Sequence, residues 1–407
     1  MERTLLSNPY SLDDMPQLCN PPRLWVFNPG HEEALRIPSH LRYTPAKEVR
    51  QMRHDLAPLL LLLAHEGDYI YRPASPLGSP AELLDYRGQS VSPHPLRGST
   101  LQLQLWGIEP HIIHELMTAP LLRGIDLVPP PISTDYLRMA HRRSCEGLLR
   151  YLIKEGGYPE ALLPRWVEQG EDLSETKRLL REALRGVAQG YGSPTEVMVK
   201  RPFSSSGRGV LPFPRCYSEK HLEALAGSCL RLGAVSIEPL WQVIENWALE
   251  YVRDGEGRVS FVAFSLFETI ASGRAYAGNI LQSQETLRAR LIQHIGSEAL
   301  TQLIALHETY LSEALAASQY EGYIGVDLFL YEDGGQTKLH PAVEINLRTT
   351  MGLLAHLAYE RYLTPPEEGR FLIEYLPTAQ LQSPTSLTFS LTEVSPTTLF
   401  QARITKA

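Results

Sequence analysis

Glu344, Asn346 and Arg348 occupy alternate positions of the run Glu344-Ile345-Asn346-Leu347-Arg348-Thr349-Thr350-Met351-Gly352. In an extended strand, residues two apart share a face, so these three side chains would enter one cleft. A carboxylate and an amide oxygen are hard donors suited to magnesium, which takes one or two protein carboxylates and completes its shell with water and phosphate. The arginine adds a cation for an anion. Taken alone, the run also fits a surface turn leaving a strand. A second carboxylate weighs against that: Asp327 interrupts the apolar stretch from Gly322 to Tyr331, and a carboxylate in a buried strand needs a partner. The turn Glu332-Asp333-Gly334-Gly335 leads back along Thr337 to Ile345 as a hairpin. Asp327 then stands across from Glu344 and Asn346, and a divalent ion is the partner it needs.

Two earlier stretches add anion chemistry. Met198-Val199-Lys200 ends an apolar strand, and Arg201-Pro202-Phe203-Ser204-Ser205-Ser206-Gly207-Arg208-Gly209 follows it. Small residues let backbone N–H groups approach phosphate oxygens, glycine supplies positive φ where needed, and Lys200 contributes a point charge. The pattern is not a Walker loop, since no Lys-Ser or Lys-Thr follows the glycines. Ala234-Val235-Ser236-Ile237-Glu238-Pro239-Leu240 reads as a short β-branched strand that Pro239 ends.

In content and order these four pieces, spanning roughly Ile132 to Arg370, resemble the ATP-grasp superfamily of the carboxylate-amine ligase type. The resemblance implies a fold mixing α/β and α+β, with a small doubly wound N-terminal domain followed by a two-lobed ATP-grasp fold. It implies that Lys200 binds phosphate, that Ser204, Ser205, Ser206, Gly207 and Gly209 form a flexible lid loop, and that Glu238 and Leu240 lie at the hinge receiving adenine and ribose. Asp327, Glu344 and Asn346 would hold magnesium, or manganese in its place, and Arg348 would lie near the transferring phosphoryl group. The cofactors implied are ATP and Mg2+, and the partners are a small-molecule carboxylate and an amine. The reaction implied passes through an acyl phosphate and releases ADP and phosphate. Two other readings fit the same fold: a non-catalytic ATP-binding regulatory module, and a small-molecule kinase.

The chain departs from the family in two places. Where a second phosphate-binding lysine is usual on a helix, it offers Arg142 or Arg143; arginine can hold phosphate as a fork, and each also fits an exposed helix charge. His340-Pro341 precedes the metal strand, so that strand is expected at a sheet edge or starting late. Arg274, in Ser272 to Asn279, is either a second anion ligand in an irregular segment or a solvated loop arginine.

The elements that must position these groups divide the chain into an N-terminal α/β domain (1–130), a helical connector (131–192), a lid subdomain (193–240), a C-terminal subdomain with the metal site (241–376) and a tail (377–407). Arg23 to Phe27, then Asn28-Pro29-Gly30, then His31-Glu32-Glu33-Ala34-Leu35 is strand, tight turn and helix start, an arrangement that presents free N–H groups at the carboxyl end of a parallel sheet. Because such a domain supplies part of the substrate pocket in ATP-grasp ligases, Asn28, His31 and Glu32 become candidates for substrate contact; the simpler reading is turn and helix-start chemistry. Leu56 to His65 reads as a buried helix, Pro129-Pro130-Pro131 as a boundary, and Asp135 to Lys154, Glu171 to Ala188, Ser218 to Leu232 and Leu300 to Ser318 as helices. The tail adds a late strand or two.

With 46 acidic against 38 basic side chains, the formal net charge of −8 opposes a nucleic-acid role. Cys19, Cys145, Cys216 and Cys229 are scattered without metal spacing, as in a reduced, cytoplasmic protein. Leu59 to Ala64 is far shorter than the roughly 20 residues a membrane helix needs. Composition leaves oligomeric state open.

Overall fold

A computed structural model describes residues 22–187, 192–203, 209–270, 275–375, 388–393 and 395–407. The N-terminal domain comprises β1 (Arg23–Val26), α1 (His31–Leu35), α2 (Lys47–Asp55), β2 (Tyr69–Arg72), β3 (Glu82–Asp85), β4 (Ser90–Val91), β5 (Thr100–Leu105), α3 (Pro110–Thr118) and β6 (Asp126–Val128). Its sheet has the order β4-β3-β2-β1-β5-β6. β2, β1, β5 and β6 run parallel, and β3 and β4 add an antiparallel edge. All four residues of β1 are buried, as befits the middle of a parallel sheet covered on both faces. The chain leaves β1 toward β2 and returns to β5 on the other side, so the carboxyl ends of β1 and β5 form the topological switch point where such sheets receive ligands.

The expected helix from Leu56 to His65 is instead a 3₁₀ turn over Ala57–Leu62. Pro58 cannot extend α2, because its ring would meet the carbonyl four residues back, and the tighter turn still buries Leu59, Leu60 and Leu62.

The single helix expected from Asp135 to Lys154 is two, α4 (Thr134–Ala140) and α5 (Ser144–Gly156). His141 is extended at φ −76° and ψ 134°, and the Arg142 amide donates to the Pro202 carbonyl at 3.1 Å. A tertiary contact thus overrides helix propensity and turns Arg142 out of the helix.

β7 (Arg165–Glu168), α6 (Leu173–Gly186), β8 (Glu196–Lys200), β9 (Val210–Pro214), α7 (Glu219–Leu232) and β10 (Ala234–Pro239) build a smaller lobe, called the lid after the sequence expectation. Its antiparallel sheet has the order β7-β10-β8-β9. β7 enters it from within the stretch expected as helical connector. Leu180 and Leu184 of α6 and Leu222 and Ala226 of α7 pack on Val197 and Ile237 of the sheet, the helical stripe meeting the alternate face of each strand.

The remaining elements are β11 (Gln242–Arg253), β12 (Val259–Thr269), β13 (Tyr276–Leu281), α8 (Gln284–Ile295), α9 (Ser297–Ala314), β14 (Gly322–Asp333), β15 (Gln336–Asn346), α10 (Met351–Tyr362), β16 (Gly369–Tyr375), β17 (Thr388–Ser390) and β18 (Phe400–Lys406). They form a sheet of order β15-β14-β11-β12-β13-β16-β18-β17. Tyr276 to Asn279, expected to be irregular, lies in β13. Trp247, Leu249 and Tyr251 of β11 pack with α8 and α9, while Val252 packs with Leu353 and Leu354 of α10 and with Leu59 and Leu60 of the N-terminal domain. β15 is an edge strand, which tolerates Pro341. Its pairing shifts register between Asp327 and Phe329, opposite Pro341. The tail supplies β17 and β18, and the Asp55 carboxylate of α2 accepts the backbone amides of Leu399 (2.9 Å) and Phe400 (3.0 Å).

Candidate active site

Asp327 of β14 pairs directly with Glu344 of β15, and Gly325 pairs with Asn346. Paired residues and their i+2 neighbours share a face, so Asp327, Glu344 and Asn346 project together. Burial first, then the Glu344 charge beside it, pushes the Asp327 carboxyl up to about 7. A cation among these oxygens would relieve both causes. Among the described residues no group of three or more His, Cys, Asp or Glu side chains is placed to hold a metal; two carboxylates and an amide fit an ion that draws its other ligands from water and phosphate.

The same face carries a residue that the sequence reading missed. Glu250 of β11 pairs with Gly325, is 1% exposed, and is pushed up to about 8 by burial and by Asp327, with the Thr350 hydroxyl pulling the other way. A Cβ on Gly352 would come within 2.2 Å of Glu250 Oε1 and 2.5 Å of Ser265 Oγ, so only glycine lets the start of α10 close over this carboxylate. Its signal was the same as for Asp327, an acid inside the apolar run Trp247 to Val252.

On the lid, Lys200 and Ser236 are register partners on β8 and β10, which brings Lys200 Nζ to 2.6 Å from Glu238 Oε2. Both side chains are about nine-tenths buried, at 10% and 11% exposure. The Ser236 hydroxyl donates to Glu238 Oε1 at 3.3 Å. The Leu240 carbonyl accepts the Ser193 amide at 2.7 Å, and the Gly209 carbonyl accepts the Arg201 amide at 2.9 Å, closing the base of the β8–β9 loop. Ser204, Ser205, Ser206 and Gly207 lie outside the described residues, as does Arg274.

Arg142 joins the two lobes. Its Nη2 donates to Glu344 Oε1 at 2.7 Å, and its Nη1 donates to the Arg201 carbonyl at 3.0 Å. Burial disfavours its charge, but the Glu344 carboxylate outweighs that and raises its pKa. Arg143 turns the other way, half exposed, onto Glu168 and over the Trp166 ring.

At the switch point, Asn28 clasps the carboxyl ends of β1 and β5: its Nδ2 donates to the Gly107 carbonyl at 2.8 Å, and its Oδ1 accepts the Gly107 amide at 3.2 Å. A Cβ on Gly107 would lie 2.1 Å from the His31 ring, so the ring packs flush on this backbone. Arg348 reaches the same point through a bridge to Gly107. Its Nε donates to Glu32 Oε1 at 3.1 Å, its Nη2 to Asn346 Oδ1 at 2.9 Å and its Nη1 to the Thr349 carbonyl at 3.2 Å. Glu32, Arg348 and Asn346 thereby link the N-terminal domain to the carboxylate hairpin. Burial would raise the Glu32 carboxyl, but His31 and Arg348 beside it hold it low.

No family model matches the chain. No curated protein sequence matches it. Among solved structures it is similar to the N5-carboxyaminoimidazole ribonucleotide synthetase of Thermus thermophilus, at 15% identity over 76% of this chain and 77% of that one, TM-score 0.43. The N5-carboxyaminoimidazole synthase of Aspergillus clavatus, solved with ADP and 5-aminoimidazole ribonucleotide, matches at 13% identity over 94% of each chain, TM-score 0.45. A Campylobacter jejuni biotin carboxylase complexed with β-γ-ATP matches at 13% identity over 76% of this chain and 71% of that one, TM-score 0.44. The chain's own arrangement is a lysine-bearing antiparallel sheet beside a larger sheet edged by a carboxylate hairpin.

Proposed function

We propose that the chain is an ATP-dependent ligase that joins a carboxylate to an amine through an acyl phosphate. The observation that carries this reading is the convergence on one face of Asp327, Glu344 and Asn346, tied to the lid by Arg142. Magnesium or manganese, held by those three residues, would neutralise phosphate charge. Lys200 and Arg142, each now paired with a carboxylate, would bind phosphate oxygens by exchanging that partner for the anion. Glu238 and Leu240 mark the hinge for adenine and ribose. Ser204, Ser205, Ser206, Gly207 and Gly209 would cover the phosphates and exclude water.

A substrate carboxylate oxygen then attacks the terminal phosphorus, the bond to the bridging oxygen breaks, and ADP leaves with that electron pair. Arg348, fixed by three acceptors, holds the carboxylate and the developing charge, with Arg274 as a second anion ligand. An amine collapses the acyl phosphate to an amide and free phosphate. Asn28, His31 and Glu32 frame the substrate side.

The test is ADP release across amines paired with small carboxylic acids, with hydroxylamine present in a parallel set to trap acyl phosphate as hydroxamate. ADP and hydroxamate formation dependent on one carboxylate supports the ligase. Nucleotide-dependent thermal stabilisation with no ADP from any pair makes the chain a binding module, and a stable phosphate ester makes it a kinase.

A further inference from the structure

We propose that His31 and Glu32 receive the amine nucleophile, with His31 Nδ1 accepting the proton it loses; this rests on the ligase reading above. His31 Nδ1 and Glu32 Oε2 lie 3.2 Å apart, yet among the described residues neither atom has a hydrogen-bond partner. His31 is 4% exposed and the Glu32 side chain 12%, so bulk water does not satisfy them. Unpaired buried polar atoms cost free energy, and two adjacent acceptors without a donor between them also repel. Burial, opposed by Glu32 and aided by Arg348 and Arg53, brings His31 down to about 4, which leaves Nδ1 able to present a lone pair at neutral pH. Its ring cannot swing toward β5, because it packs flush on Gly107.

Both acceptors are satisfied by a donor with two hydrogens on one atom, a buried water in the resting site or the nucleophile that displaces it. A primary amine or ammonia supplies one N–H to His31 Nδ1 and one to Glu32 Oε2, and its lone pair remains free. An alcohol has one hydrogen and a secondary amine one N–H, so neither satisfies both acceptors. The other oxygen of Glu32 is held by Arg348 Nε at 3.1 Å, which sets the nitrogen beside the arginine that holds the acyl group. The nitrogen attacks the acyl carbon and the C–N bond forms. The C–O bond to phosphate breaks, phosphate leaves with its electron pair, and the nitrogen proton passes to His31 Nδ1.

The experiment uses the full chain with ATP and the carboxylate that gives the strongest hydroxamate signal. Amide formation from ammonium chloride, methylamine and glycine is compared with hydroxamate formation from hydroxylamine, which is already unprotonated at neutral pH. In both His31→Asn and Glu32→Gln, amide formation is expected to fall about 100-fold further than hydroxamate formation, the scale of a lost general base. The remaining amide rate in His31→Asn should climb with pH as the ammonium form loses its proton to become free amine. Equal losses in both assays, or no loss of amide, overturn the assignment. If His31→Asn does not fold, wild type decides: methylamine should outrun dimethylamine at least about tenfold, and parity overturns the two-acceptor site. Wild type that yields no hydroxamate with any carboxylate refutes the ligase reading itself, a result distinct from hydroxamate without selectivity.

Discussion

The lid lobe and the carboxylate hairpin solve the same electrostatic problem in opposite ways. On the lid, the cation Lys200 and its anion Glu238 belong to neighbouring strands of one sheet, so the lobe is neutralised from within. On the hairpin, two carboxylates face each other across a strand pair, and the arginine at Glu344 arrives from the α4–α5 break. Asp327 is left in excess, pushed up by burial and by Glu344. The lid balances its own charge, whereas the hairpin carries surplus buried negative charge that a cation would relieve. Arg142 and Glu344 join the two regions, so under the proposed function a change at this pair would be felt by both.

The contrast can be broken most sharply at Asp327. Asp327→Ala should lower carboxylate-dependent ADP release by on the order of 10³-fold, with the loss persisting at saturating ATP; a rate within tenfold of wild type would remove the hairpin from the chemistry. Arg142→Ala strands the partly buried Glu344, one-quarter exposed. It should cost about 3 kcal/mol of stability in a denaturant titration, the lower end for breaking a buried pair. Lys200→Ala should slow turnover by on the order of 10²-fold, and Glu238→Gln in the same background should recover stability but not rate, because the lid pair compensates charge locally.

Acid sharpens the comparison. His307, His340 and His356 all sit in the larger lobe, and burial depresses them to about 3, about 3 and about 4. Below 6.5 the unfolded chain takes up protons that the folded chain refuses, so stability falls as pH drops through 6.5 and stops falling below the folded values. At pH 5 each costs about 2 kcal/mol. Denaturant midpoints at pH 7 and pH 5 should therefore separate, and His307→Gln should narrow the gap. Arg143→Ala is the smallest effect: half exposed and paired with a surface glutamate, it should change stability by less than about 0.5 kcal/mol.

The sequence was legible wherever the information was local. The hairpin follows from a Gly-Gly turn between two apolar runs and the edge position of β15 from Pro341, but the turn's register alone would set Asp327 opposite Ala342, and only the shift between Asp327 and Phe329 brings it opposite Glu344. The break at His141 was not legible, because its cause is an amide reaching the Pro202 carbonyl across the lobes, and with it went any means of separating Arg142 from Arg143. Glu250 was missed for a different reason: an acid in an apolar run announces burial but not which face it enters.

By itself the sequence determined strand alternation, the hairpin and the order of the lysine, Glu238 and carboxylate segments, because each depends on side-chain pattern over a few residues. Only the tertiary structure decided that Arg142 bridges the lobes, that Glu250 joins the acidic face, and that His31 and Glu32 meet Arg348 over Gly107. Those contacts join residues far apart in the chain, and which distant partners meet is set by how whole sheets pack rather than by any local pattern.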